Sequence, residues 1–185
     1  MQQHMENIDS LLETNMTEKG YKFWKILETK IPPVWDRLSS SSMKYHKKED
    51  GRVPCIAEHT YEMLNAAVKI ISLFDIRIKT SEADTLLLSI VLHDAFKYGL
   101  KPENTRYTTN QHDRIVADVV KNQREIFKKL LDDNQIDLLE ESLRFHSGKW
   151  STDASPHQFN WKEHSPESLF VHVLDMLSSR NLLKY

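Results

Sequence analysis

The spacing of the apolar residues allows this chain essentially one kind of fold, a packing of helices. Ala83, Leu86, Leu87, Ile90 and Val91 fall at i, i+3, i+4, i+7 and i+8, the buried stripe of an amphipathic helix. Met63, Ala66, Ala67, Ile70, Ile71 and Phe74 repeat the pattern, and no segment alternates convincingly as a half-buried strand does. Four glycines and six prolines in 185 residues interrupt little. The pattern predicts helices over 6–29 (one or two, interrupted near Gly20), 57–74, 81–97, 111–122, 124–131, 133–146 and 166–183, the last with Pro166 in its first turn. Residues 31–54, 99–110 and 147–165 read as irregular. The expectation is an all-α single domain, with 1–30 a helical segment packed on a core of residues 31–185.

Charge and cysteine content narrow the function. The net charge is −2 with both signs interspersed, which argues against gripping long nucleic acid by bulk electrostatics. A nucleotide or a short single strand remains open. The single Cys55 forms no internal disulfide and fits a reducing compartment. Apolar runs fall far short of the ~20 residues of a membrane span, and the N-terminus lacks a leader pattern. A cytoplasmic protein without membrane contact is expected. Oligomeric state stays open.

Histidines then occupy positions where leucine would be expected. His59 stands four residues before Met63, and His93 three after Ile90, both on buried faces. His112 precedes Val116, Val119 and Val120 at i+4, i+7 and i+8, and His146 follows Leu139 and Leu143 at i−7 and i−3. Asp94 adjoins His93, and Asp175 lies within "SLFVHVLDMLSSR". A lone histidine on an apolar face is more often a hydrogen-bonded core residue than a ligand. Four histidines and two aspartates on facing stripes point instead to a shared metal centre, because a buried carboxylate needs a partner or an ion. His93 and Asp94 point about 100° apart in a regular helix, so both can face one ion only near a helix end, which Gly99 supplies.

These residues carry a resemblance to the HD superfamily of metal-dependent phosphohydrolases, whose signature is H…HD…D. Here the matching residues are His59 in "AEHTYEML", His93 and Asp94 in "VLHDAFKYG", and Asp175 in "VHVLDMLSSR". The blocks "SSSSMKYHKKEDG", "RYTTNQHD", "FHSGKW" and "HVLDMLSSRNLL" resemble a bacterial and phage subgroup, over about residues 31–183. The dipeptide alone says little, since it recurs at His112–Asp113. Met43 departs from the subgroup's usual glycine, and "VPCIAEHT" from its glycine-rich approach to the first histidine.

The resemblance implies a helical bundle and a divalent transition metal such as manganese, iron, zinc, cobalt or nickel, with magnesium also compatible. Some members hold one ion with the four core ligands; others hold two, bridged by the HD aspartate. His112 and His146 match the added positions, so two ions with Asp94 bridging are expected. The ions would acidify a bound water for attack on phosphorus. Lys97 matches a family lysine and would contact a phosphoryl oxygen or the leaving group. Lys44 and His46 are further candidates for phosphate contacts, His46 alternatively capping the pocket. Arg180 would touch substrate or, more in keeping with its position, pin the last helix by a salt bridge. His172 reads as supporting a ligand, His157 and His164 as exposed, His4 as part of a tail, and Trp24, Trp35, Trp150 and Trp161 as mostly core. Tyr98 and Trp150 are alternatives for stacking on a base. The implied function is hydrolysis of a nucleotide or other small phosphoester. A nuclease for short single strands and a non-catalytic nucleotide sensor are the alternatives.

Overall fold

The computed structural model describes residues 2–41, 46–73, 79–154, 159–180 and 182–183. The described residues form eight α-helices: α1 Gln2–Asn15, α2 Glu18–Glu28, α3 Ile56–Leu73, α4 Ser81–Leu92, α5 His112–Asn122, α6 Arg124–Phe127, α7 Asp133–Phe145 and α8 Pro166–Ser179. They contain no strand, and the one isolated bridge joins Leu38 to Cys55. The fold is all-α. No described helix is long and apolar enough to cross a membrane.

Helix α4 lies at the centre, against α2, α3, α7 and α8. Nine of its twelve residues are buried, so it is covered on most sides rather than along one stripe. Around it α1 packs on α3, α5 on α7, and α8 on both α3 and α7. One apolar cluster runs through all of these, from Ile8, Leu12 and Trp24 to Leu139, Leu143 and Leu174.

The N-terminal break falls at Met16–Thr17, not near Gly20. Thr17 caps α2 by accepting from the Gly20 N–H, 2.9 Å away. Asp84 of α4 accepts the Thr17 N–H (2.9 Å) and hydroxyl (2.5 Å). Gly20 lies within α2 because a Cβ there would sit 2.3 Å from Asp84 Oδ2. The glycine marks a close approach of two helices, not a turn.

Other ends move as well. Helix α4 stops at Leu92, and residues to Gly99 continue in tight turns, with the N–H groups of Ala95, Lys97 and Gly99 each donating three residues back. Gly99 has φ +77°, the left-handed conformation that such an end favours. Helix α6 is a single turn, and α8 ends at Ser179. The irregular stretch 147–165 contains two 3-10 turns, Gly148–Trp150 and Trp161–Glu163.

Candidate metal centre

Four helix ends and the body of α8 meet at one buried point. His59 is in the first turn of α3, His112 opens α5, and His93 and His146 directly follow the last residues of α4 and α7. Asp175 comes from the interior of α8. His59, His93, Asp94 and His146 are fully buried, and His112 nearly so.

The hydrogen bonds fix which ring atom of each histidine faces inward. His93 Nδ1 lies 2.7 Å from the Ile90 carbonyl, His146 Nδ1 2.7 Å from that of Leu143, and His112 Nδ1 3.1 Å from that of Thr109. A carbonyl only accepts, so each Nδ1 carries the proton. The first two of these bonds also satisfy last-turn carbonyls of α4 and α7. His59 Nδ1 faces Ser178 Oγ at 2.9 Å; that hydroxyl donates to Glu62 and therefore accepts from His59. Lys48 pairs with the same Glu62.

Every Nε2 is thus turned toward Asp94. Burial pushes the His93 imidazole below its ordinary pKa, and burial with the neighbouring His112 and His93 pushes His146 down to about 3. Both rings are neutral near pH 7, with an Nε2 lone pair pointing inward. His93 Nε2 stands 3.2 Å from His59 Nε2, and His146 Nε2 stands 3.0 Å from His112 Nε2. An imidazole with its proton on Nδ1 offers a lone pair at Nε2, and a cation placed in each gap would satisfy both partners of the pair. For metal–ligand bonds of about 2.1 Å, neighbouring ligands in tetrahedral or octahedral coordination are about 3.0–3.4 Å apart. The two gaps match such edges.

Asp94 divides its oxygens between the pairs. Oδ2 lies 3.6 Å from His93 Nε2 and 4.0 Å from His59 Nε2; Oδ1 lies 3.3 Å from His112 Nε2 and 3.9 Å from His146 Nε2. Asp175 Oδ1 is 3.2 Å from His59 Nε2. Among the described residues, three overlapping groups could hold a metal ion: His59, His93 and Asp94; Asp94, His112 and His146; and His46, His59 and Asp175. Burial alone would raise the Asp94 pKa, yet Lys97, His93 and His112 hold it well below the usual carboxylate range. Asp175 is likewise lowered against burial, chiefly by His59.

No family model matches the chain, and no curated protein or solved structure matches it.

Lys97 is not a solvated lysine. Its Nζ lies 2.8 Å and 2.9 Å from the two Asp94 oxygens, and Asp94 with Asp175 keeps its pKa above normal although burial opposes this. The Lys97, His112 and Asp175 side chains, 13%, 10% and 14% exposed, mark the open edge of the centre. His46 is buried against His59, ring centroids 4.5 Å apart, and burial followed by His59 and Lys97 lowers its pKa to about 3. His172 supports the cluster, with Nδ1 2.7 Å from the His146 carbonyl. Lys44 and His157 lie outside the described residues.

Several expectations are corrected. Arg180 caps the C-terminus of α8, is exposed, and forms no ion pair among the described residues, so no salt bridge there pins α8. His164 is not free in solvent: it stacks on Phe159 at 4.7 Å and meets Glu141 at 3.1 Å. His4 belongs to α1 and packs near Tyr61. Trp24 is fully buried, but Trp150 is 60% exposed, with Lys149 over its ring. Tyr98 is occupied, donating to the Leu38 carbonyl beneath Arg37. Sequence reasoning missed the Ser178–Glu62 support of His59. Its signals were available: Glu62 is three residues after His59 on α3, and Ser178 three after Asp175 on α8.

Proposed function

We propose that the chain is a metal-dependent phosphohydrolase of the HD type, acting on a nucleotide or another small phosphoester. The observation that carries this reading is a carboxylate set between two facing imidazole pairs and gripped by a lysine at the edge of the centre. His59, His93, Asp94 and Asp175 would hold one ion, and Asp94, His112 and His146 a second. Imidazole and carboxylate together suit manganese and iron, as well as zinc, cobalt or nickel. Such ions supply Lewis-acid charge and acidify water beside a phosphoryl group.

The chain's own residues do the rest. The Nδ1 hydrogen bonds hold each imidazole in one tautomer and orientation, so the site is organised before substrate arrives. Lys97 lies at the open edge and offers a fixed positive charge to a phosphoryl oxygen or a departing phosphate. A bundle this buried admits a small phosphate more readily than a long strand, and net charge −2 adds no general attraction for nucleic acid.

The test is a screen of metal-loaded protein against deoxynucleotides, ribonucleotides, monophosphates, cyclic nucleotides and short oligonucleotides. Phosphate or pyrophosphate release from a small substrate, absent in Asp94→Ala, is expected. Preferential shortening of oligonucleotides would instead mark a nuclease. Tight nucleotide binding without turnover would mark a sensor and overturn the proposal, as would activity surviving in Asp94→Ala.

A further inference from the structure

We propose that His46 is itself a metal ligand, joining His59 and Asp175 on one ion of the centre. The inference rests on that centre, not on the phosphohydrolase reading. Ligand atoms of His46, His59 and Asp175 all lie within 4.8 Å of one another. His46 Nδ1 and Asp175 Oδ1 are both enclosed, and neither has a hydrogen-bond partner among the described residues. An unsatisfied buried polar atom costs about 1–3 kcal/mol, and a cation held by these two neighbouring residues would satisfy both. Only 8% of His46 is exposed, so bulk water does not supply it.

The backbone supports the assignment. His46 has φ +61°, a left-handed conformation that costs a residue with a Cβ about 1–2 kcal/mol. Its N–H donates to the Ser179 carbonyl at 2.8 Å, which fastens it to α8 one turn beyond Asp175. The strained residue is therefore held on the helix that carries its partner ligand.

His46 does not define a third ion. His59 Nδ1 is engaged by Ser178, leaving one Nε2 lone pair, and one lone pair binds one metal. His46 therefore adds to the ion of His59 and Asp175. The group of His46, His59 and Asp175 shares His59 with that of His93 and Asp94, so an ion drawing on both sets would have five protein ligands, while the ion of Asp94, His112 and His146 would have three. The first is nearly saturated and suits an octahedral metal better than tetrahedral zinc. The second keeps the open positions where water and substrate exchange.

The full-length chain, stripped of metal and titrated with Co²⁺, tests this by calorimetry and visible absorption. His46→Ala should weaken one binding step about tenfold or more. At saturation its visible bands should shift or intensify, because a nitrogen ligand is lost or replaced by water. His46→Gln, which keeps the bulk, should show the same spectral change, and metal-free melting curves control for folding. Wild-type affinity and an unchanged spectrum in both variants would overturn the proposal. Failure of the unaltered chain to take up Co²⁺ would overturn it together with the metal centre.

Discussion

The chain contains two His-Asp dipeptides, and their aspartates have opposite surroundings. Asp113 is buried but satisfied by the protein: its oxygens accept from the Thr152 N–H (2.6 Å), the Thr152 hydroxyl (2.7 Å) and the Arg114 N–H (2.8 Å). Its role is to fasten the loop after α7 to the start of α5. Asp94 lies among four imidazole Nε2 atoms at 3.3 to 4.0 Å, with Lys97 donating to both of its oxygens. Both carboxylates are buried, and burial alone does not distinguish them. The difference lies in what faces each oxygen: backbone and hydroxyl hydrogens at Asp113, imidazole Nε2 atoms and the Lys97 ammonium at Asp94. Their preceding histidines nevertheless meet in one cluster, since His112 joins the Asp94 site while Asp113 turns away.

Exchanging the two carboxylates in turn should separate these roles most sharply. Asp94→Ala should abolish stoichiometric binding of Mn²⁺ and reduce any hydrolysis to background. Asp94→Asn, which leaves Lys97 less exposed to an apolar cavity, covers the case in which the alanine variant fails to fold. Asp113→Ala should keep both metal binding and turnover while losing about 1–3 kcal/mol of stability in urea unfolding, the cost of stranding Thr152 donors. Equal metal loss in the two variants would erase the distinction.

Within the cluster, the second histidine pair should be separable from the first. His112→Ala leaves His59, His93, Asp94 and Asp175 intact, so elemental analysis should show loss of about one equivalent with the other ion retained. Saturation of the unaltered chain at a single equivalent in excess manganese would remove the second ion. Lys97→Gln should keep both ions but lower turnover by about 10²–10³-fold, the scale of losing one positioned charge-stabilising donor. Unchanged turnover would confine Lys97 to neutralising Asp94 in the metal-free protein.

How much of this could be read beforehand differs between helix and loop. His59, His93, His112 and His146 were legible because each interrupts a periodic apolar face, and the helices then had to bring those faces together. The end of α4 was not. Apolar residues run on through Ala95 and Phe96, and the switch to tight turns after Leu92 leaves no mark in periodicity. His46 was brought to the pocket by resemblance alone, as a phosphate contact or a cap; its seat against His59 rests on a left-handed residue bonded to a carbonyl 133 positions away, which no local pattern marks. Gly20 misled for a similar reason: its need for no side chain comes from Asp84, 64 residues on, rather than from its own backbone.

The smallest effect concerns the second anchor of the loop that Asp113 holds. Asp153 receives Arg114 Nε at 2.8 Å and Arg144 Nη1 at 2.5 Å. Burial raises its pKa, but Arg144 and Arg114 outweigh that and hold the carboxyl below its ordinary value. A carboxyl depressed in the folded state binds protons less readily there than in the unfolded chain. Its stabilisation is complete above the unfolded value of about 3.9 and is lost as pH falls through the folded value. In metal-free protein, Asp153→Asn should therefore melt lower than the unaltered chain by a constant margin between about pH 6 and 8. The margin should shrink as pH falls below about 4, because the unfolded chain then takes up a proton that folded Asp153 resists, and it should vanish once the folded carboxyl is protonated too. Asp94 and Asp175 titrate in both proteins and cancel from the difference. A margin unchanged down to about pH 3 would show that the loop depends on the shape of the side chain and not on its charge.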